Sequence, residues 1–249
     1  MSIPTLSTSS TKTITTPACP TLYGPGELTT TLSLHPHASL TSLQTLIATF
    51  QLRLPDRTRP LYVGYIQGHI LDKSIPFVLP DGSLARRKAW IRDLLANDPR
   101  AGGGDSEPRI PDDLRSGLRA LYTSSGARRR RVRDLRHVGT KLRARKIVWV
   151  GKFWINEEFR SSGTGTRAWR DFHLALALFR GEESVVRGMM LLQADVLDWS
   201  MVDAGRSMGE IQAGLVRFYG RSGYRVAWRQ EPGRRTLIAD VSVAVVVNG

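Results

Sequence analysis

The stretch KIVWVGKFWINEEFRSSGTGTRAWRDFHLALALF (Lys146–Phe179) decides the reading of this chain. Its first ten residues, Lys146–Ile155, are dominated by β-branched and aromatic side chains and read as a strand. NEEFR follows, then the glycine loop SSGTG, and Thr166–Phe179 reads as a helix. Backbone N–H groups at such a helix start have no intrahelical acceptor. Gly163 and Gly165 lack a Cβ, so a ligand can approach the main chain. Arg160 adds a full positive charge, and Ser161, Ser162, Thr164 and Thr166 add hydroxyls. Together these groups suit a diphosphate. The loop is neither GxxxxGK[ST] nor GxGxxG at a first strand, which argues against a P-loop and against a dinucleotide Rossmann site.

Toward the C-terminus, Gly188–Val196 reads as a strand and Met208–Arg221 as a helix. Tyr224–Arg229 and Thr236–Val247 then form a hairpin around EPGRR. Toward the N-terminus, Glu27–Leu34, Phe50–Leu54 and Leu61–Leu71 read as strands, and Ser39–Leu46 has weak helical periodicity. Ile75–Arg145 reads as an insertion. It contains the flexible run Ala101–Pro111 and short helices near Leu84–Leu95 and Asp112–Tyr122. The order predicts a mixed α/β (α+β) domain over residues 21–249.

A chain of 249 residues can bury one sizeable core. The single cysteine, Cys19, excludes a disulfide framework and a cysteine-based zinc site, and no HExxH or other metal spacing occurs. No metal is expected. No apolar run reaches the roughly 18 residues of a membrane span. Residues 1–20, rich in Ser and Thr, read as a disordered leader. One Lys and no Arg there argue against a mitochondrial transit peptide. A cytoplasmic location is expected, with a nuclear one open.

Net charge is +14, and the segment Arg128–Lys146 carries ten basic residues and one acid. Arg outnumbers Lys thirty to six in the whole chain, so a compositional bias contributes. Such a block is a solvated Arg-rich helix or a nucleic-acid contact.

Leu215–Val226, LVRFYGRSGYRV, closes a helix at Gly223 and opens a strand at Tyr224. This segment and the glycine loop together resemble the two cofactor motifs of the GNAT superfamily of N-acetyltransferases. In the first motif Ile155 takes the valine position, Glu157 the usual proline, and Arg160, Gly163 and Gly165 the signature positions. In the second, Phe218, Tyr219, Gly223 and Tyr224 are in register. The resemblance covers about residues 145–247. It implies a mixed sheet, partly splayed and flanked by helices, with acetyl-CoA as cosubstrate and an amine as acceptor. The backbone of Phe153, Trp154 and Ile155 would hold the pantetheine arm, and residues 160–166 the diphosphate. Tyr219 would be the general acid. Asp195 is the first choice of base among Asp195, Asp198, Glu157 and Glu158, all of which also fit surface carboxylates. The long insertion, Gln212 in place of a frequent Asn, Leu215 in place of Ala and an extended Asp198–Gly209 depart from the pattern. The rivals are a nucleic-acid-binding protein and a CoA-binding domain without catalysis.

Overall fold

Lys146–Ile155 forms the fifth strand of an eight-stranded mixed sheet in the computed structural model. The structure describes residues 9–19, 21, 23–37, 42–74, 112–123, 127, 145–160, 162–179, 189–194, 205, 207–229 and 235–239. In chain order the elements are β1 (Ser10–Cys19), β2 (Gly26–Pro36), β3 (Leu43–Arg53), β4 (Leu61–Asp72), α1 (Asp112–Leu121) and β5 (Lys146–Ile155). A short 3-10 turn (Glu157–Phe159) precedes α2 (Thr164–Leu178), β6 (Met189–Ala194), α3 (Met208–Arg221), β7 (Tyr224–Arg229) and β8 (Arg235–Ala239). The sheet runs β1-β2-β3-β4-β5-β6-β8-β7. Every neighbouring pair is antiparallel except β5 and β6.

One face of the sheet packs on α2 and α3. Leu32, Phe50, Ile66 and Val148 meet Trp169, Phe172 and Leu176 there. The other face of β5 presents Trp149 to α1, where a Cβ on Gly117 would run into the Trp149 ring. α1 therefore follows the expected helix at Asp112–Tyr122 and tiles the strand from behind. A Cβ on Gly64 or Gly68 of β4 would strike the carbonyl oxygens of Trp154 or Trp149, so β4 and β5 need glycine where they come closest.

Two expectations change. Ser10–Cys19, read as part of a disordered leader, is β1, an edge strand in register with β2 through Thr13↔Thr31 and Thr15↔Thr29. Threonine is polar enough to resemble a leader, yet its β-branch suits a half-buried pleat, and α2 packs against β1. Residues 43–46, read as helical, belong to β3, where Leu46, Ala48, Phe50 and Leu52 are buried at every second position. Leu84–Leu95, Val241–Val247 and almost all of the basic segment 128–146 lie outside the described residues. Among the described residues, no helix is long and apolar enough to cross a membrane.

Asp72 ties the end of β4 to the start of β5. Its Oδ1 accepts from the Ser74 hydroxyl at 2.6 Å, the Ser74 amide at 2.8 Å and Arg145 Nε at 3.3 Å, and Lys146 Nζ lies 3.9 Å from Oδ2. Burial alone would raise this carboxyl, but the Ser74 and Arg145 donors reverse that and hold it below 3.8. A depressed carboxyl stabilises the fold above its unfolded value, and the contribution is lost as pH falls through the folded one. Asp72→Asn should cost about 1–2 kcal/mol at pH 7, read by urea unfolding. The gap from the native chain should close as pH drops below 3.8.

Candidate functional site

The site begins with one extra residue in β5. Gly68 pairs with Val150 and Gln67 with Lys152, which leaves Gly151 opposite nothing on β4. Such a bulge bends a strand and sharpens its twist. The parallel ladder to β6 runs from Ile147↔Met189 to Val150↔Leu192 and ends there. β6 continues beside β8 through Gln193 and Ala194. Residues 151–155 therefore have β4 on one side and, among the described residues, no ladder partner on the other. This places a gap at the carboxyl ends of two parallel strands, where ligands enter open α/β sheets.

The bulge also sets the phase of the side chains. Val148 and Val150 join the core before it, and Phe153 and Ile155 do so after it. Trp154 points to the opposite face and meets Tyr62 and Tyr65. The Asn156 amide donates to the Val63 carbonyl of β4 at 2.8 Å. Peptide groups alternate sides along a strand. Those of Trp154 thus face β4, and those of Phe153 and Ile155 face the gap. Arg160 Nε donates to the Ile155 carbonyl at 2.8 Å, so the Phe153 amide and carbonyl are the pair left facing the gap.

α2 starts at the far end of this segment. Gly163 caps it at φ +85°, in the left-handed region, with no side-chain cap. A Cβ on Gly163 would meet nothing within 4 Å. The first intrahelical bond runs from the Arg167 amide to the Gly163 carbonyl at 3.1 Å. The amides of Thr164, Gly165 and Thr166 precede it, and the first turn holds no acid. Helix dipole and amides together favour an anion there.

The expected hydroxyl donors divide. Ser162 donates to the Phe159 carbonyl at 3.0 Å and lies 2.7 Å from the Thr164 hydroxyl, and Thr164 is fully buried. These two hydroxyls fasten the loop to the protein rather than face a ligand. Thr166 is exposed. Arg160 is held against the strand end, with Nη1 3.7 Å from the Glu157 carboxylate. Ser161, Asp195 and Asp198 lie outside the described residues.

Tyr219 sits across the aromatic cluster from the gap. Trp169 of α2 is its hub, at ring-centroid distances of 5.1 Å from Phe153 and 5.1 Å from Tyr219. Phe218 stacks on Phe153 at 6.0 Å. β5, α2 and the end of α3 thus meet through these rings. Burial raises the Tyr219 phenol far above its ordinary value, which keeps it protonated at neutral pH. Tyr224 instead turns inward, with its hydroxyl 3.1 Å from His173 Nε2 and 2.6 Å from Met190 Sδ. Burial lowers His173 to about 4, so it is neutral at physiological pH. His69 is buried opposite Trp149, on the α1 face. Cys19 is buried and its thiol raised by burial.

The indole N–H of Trp169 is enclosed and has no hydrogen-bond partner among the described residues. Among the described residues, no three His, Cys, Asp or Glu side chains gather to hold a metal ion. The bulge at Gly151 and the inward turn of Ser162 and Thr164 were not foreseen, because nothing in the residue types there marks them. No family model matches the chain, and no curated protein matches it.

Proposed function

We propose that this chain is a GNAT-type N-acetyltransferase that transfers an acetyl group from acetyl-CoA to an amine in a ternary complex. One observation carries the reading. The only parallel pair among the described strands ends at Val150 and Leu192, and the strand that leaves it leads through the 3-10 turn to a start of α2 that no side chain caps. The order β4-β5-β6-β8-β7, with α2 and α3 as the crossovers, supports the sheet that the two motifs imply.

The residues fit the ligand. The first turn of α2 has no carboxylate to repel a diphosphate, and the space over Gly163 is open. The Phe153 N–H and C=O suit an extended amide chain, added as a strand would be. The orphaned Trp169 indole lies in the same cluster.

A CoA thioester supplies an activated acyl carbonyl. The chain's own groups do the rest. The amides of residues 164–166 bind the diphosphate, and Arg160 fixes the strand end. The Phe153 N–H polarises the carbonyl, a contribution of about 3 kcal/mol for a preorganised donor. The amine must attack neutral, so its proton leaves to water or a carboxylate. As the C–N bond forms and the C–S bond breaks, the departing sulfur takes up a proton; Tyr219, which reaches β5 only through Trp169 and Phe218, is the acid that the motif resemblance assigns, and the proton released by the amine restores it.

Calorimetric titration with acetyl-CoA tests the reading. The wild-type chain should bind, and Thr166→Glu should bind at least about tenfold more weakly, because its carboxylate meets the diphosphate. An acid in the first turn favours the helix, so this variant should unfold no more easily. No binding by the wild type, or equal binding by the variant, would overturn the proposal.

A further inference from the structure

β1 runs along α2 and touches it at intervals. Lys12 Nζ sits over the Phe179 ring at 5.6 Å, the Thr16 hydroxyl donates to the Asp171 carboxylate, and Cys19 shares a side-chain hydrogen bond with Thr164. Just beyond β1, the Tyr23 ring meets Phe159 edge-on at 6.1 Å, and its hydroxyl donates to Glu158 Oε2 at 3.2 Å. The strand and the turn after it thus touch α2 from its C-cap to its first turn, and then the 3-10 turn in front of it. β1 has little else to hold it. It is the edge strand of the sheet, and its ladder to β2 shifts register between Thr16 and Cys19. At the end nearest the glycine loop, β1 therefore depends on its side-chain contacts with α2.

The contact at Asp171 differs from the rest. Asp171 is 1 % exposed, and its Oδ2 has no hydrogen-bond partner among the described residues. An ionised carboxylate is unfavourable there, because burial penalises the charge and the unpaired oxygen gains nothing in return. The Thr30 hydroxyl is one row away on β2, since Thr16 pairs with Leu28 and Ile14 with Thr30, yet it too has no partner. The charged and titratable groups around Asp171 are Arg167 and Arg170 on α2 and Lys12 and Cys19 on β1. On β2 the helix-facing Leu28, Thr30, Leu32 and Leu34 add none. Burial outweighs the Thr16 donor and the two guanidiniums, so the carboxyl is raised above 3.8. A raised carboxyl stabilises the fold fully below its unfolded value, and that stabilisation is lost as pH rises through the folded one.

We infer that β1 and its turn form a strap on α2 that loosens when Asp171 ionises, and that the grip of this strap sets how firmly the first turn of α2 holds a phosphate-bearing ligand. The second half rests on the acetyl-CoA reading above, and the first half does not. Thr164 and Phe159 carry the link. Both are buried, one at the first helical position and one in the turn before the glycine loop, and both touch the strap. A loosened strap therefore frees the two residues that fix the loop from either end, and a ligand that needs the loop ordered binds more weakly.

Cys19 is the only cysteine of the chain and is buried under the strap, so its labelling by a dipyridyl disulfide in the full chain reads the opening. Wild type is compared with Asp171→Asn, which is neutral at every pH, so that the thiol's own titration is common to both. At about pH 8 the wild type should label at least about fivefold faster, the low end for an unsatisfied buried oxygen. The ratio should shrink toward one as pH falls to 3.8. Thr16→Val, which removes the donor and keeps the branch, should speed labelling at about pH 8, and less so in the Asp171→Asn background. Acetyl-CoA affinity, measured on the same pair, should weaken more with rising pH in the wild type than in Asp171→Asn, and bound acetyl-CoA should slow labelling in turn. Equal labelling of the pair at about pH 8, or a ratio that ignores pH, overturns the strap whether or not acetyl-CoA binds. Should Asp171→Asn not fold, Thr16→Val decides alone, and no acceleration overturns the strap. If labelling responds but acetyl-CoA affinity follows pH identically in both proteins, the link to the loop is overturned. If labelling responds and neither protein binds acetyl-CoA, the strap stands, and acetyl transfer falls together with the link.

Discussion

Trp169→Ala should lower the unfolding free energy by about 3–5 kcal/mol, the range for emptying a large buried aromatic site. Trp169 is 1 % exposed. Its ring lies 5.1 Å from Phe153, 5.6 Å from Phe172, 5.2 Å from His173, 5.1 Å from Tyr219 and 5.6 Å from Tyr224. Those partners come from β5, α2, α3 and β7, so no single element can move in to fill the space. Ring pairs in edge or tilted geometry add about 0.5–1.5 kcal/mol each beyond burial. Trp169→Phe should recover part of the loss, because a ring still reaches Phe153. Its indole N–H has no hydrogen-bond partner among the described residues, so removing that group strands no acceptor. Urea unfolding at matched slope reads the difference. A loss under about 1 kcal/mol for the alanine variant would show that the cluster does not hold α2 to the sheet.

Tyr219→Phe should reduce turnover on the order of 10²-fold, the lower range for losing a general acid. The change removes one oxygen and keeps the ring that packs on Trp169 and Phe218. Stability and acetyl-CoA affinity should therefore stay near wild type, so that the effect falls on kcat rather than on cofactor binding. The pH profile adds a check. Burial raises the Tyr219 phenol, so it should impose no alkaline limb on kcat up to about pH 9. Equal turnover by the phenylalanine variant would leave Tyr219 as a packing residue only.

Much of this architecture was legible in the sequence. Lys146–Ile155 and Met208–Arg221 have the predicted limits, because strong β-branched and aromatic runs and a Ser207–Glu210 capping box leave little choice. α2 starts at Thr164 rather than Thr166, because left-handed Gly163 caps it and the second glycine is already helical. β1 was hidden, since its threonines look like a polar leader until β2 supplies matching threonines. The loop motif located the helix start but not the aim of its hydroxyls: Ser162 and Thr164 are as polar as Thr166, and only their neighbours turn them inward. The contact of Tyr62 and Tyr65 with Trp154 also escaped notice. Tyr62, Tyr65 and Trp154 are ordinary strand residues until two irregular registers bring them onto one face.

Gly151 gives β5 one residue more than its ladder with β4 requires. Excising it would leave Phe153 and Ile155 facing the helices and restore an even ladder, so nothing in the core asks for the surplus. A smoother strand would be free to keep zipping along β6 past Val150, and the fork between them would heal. The fold would be tidier, and by the usual tension between sturdiness and activity it would also be sturdier. The opening beside β5 is thus a flaw that regular folding would repair, maintained by a single superfluous glycine.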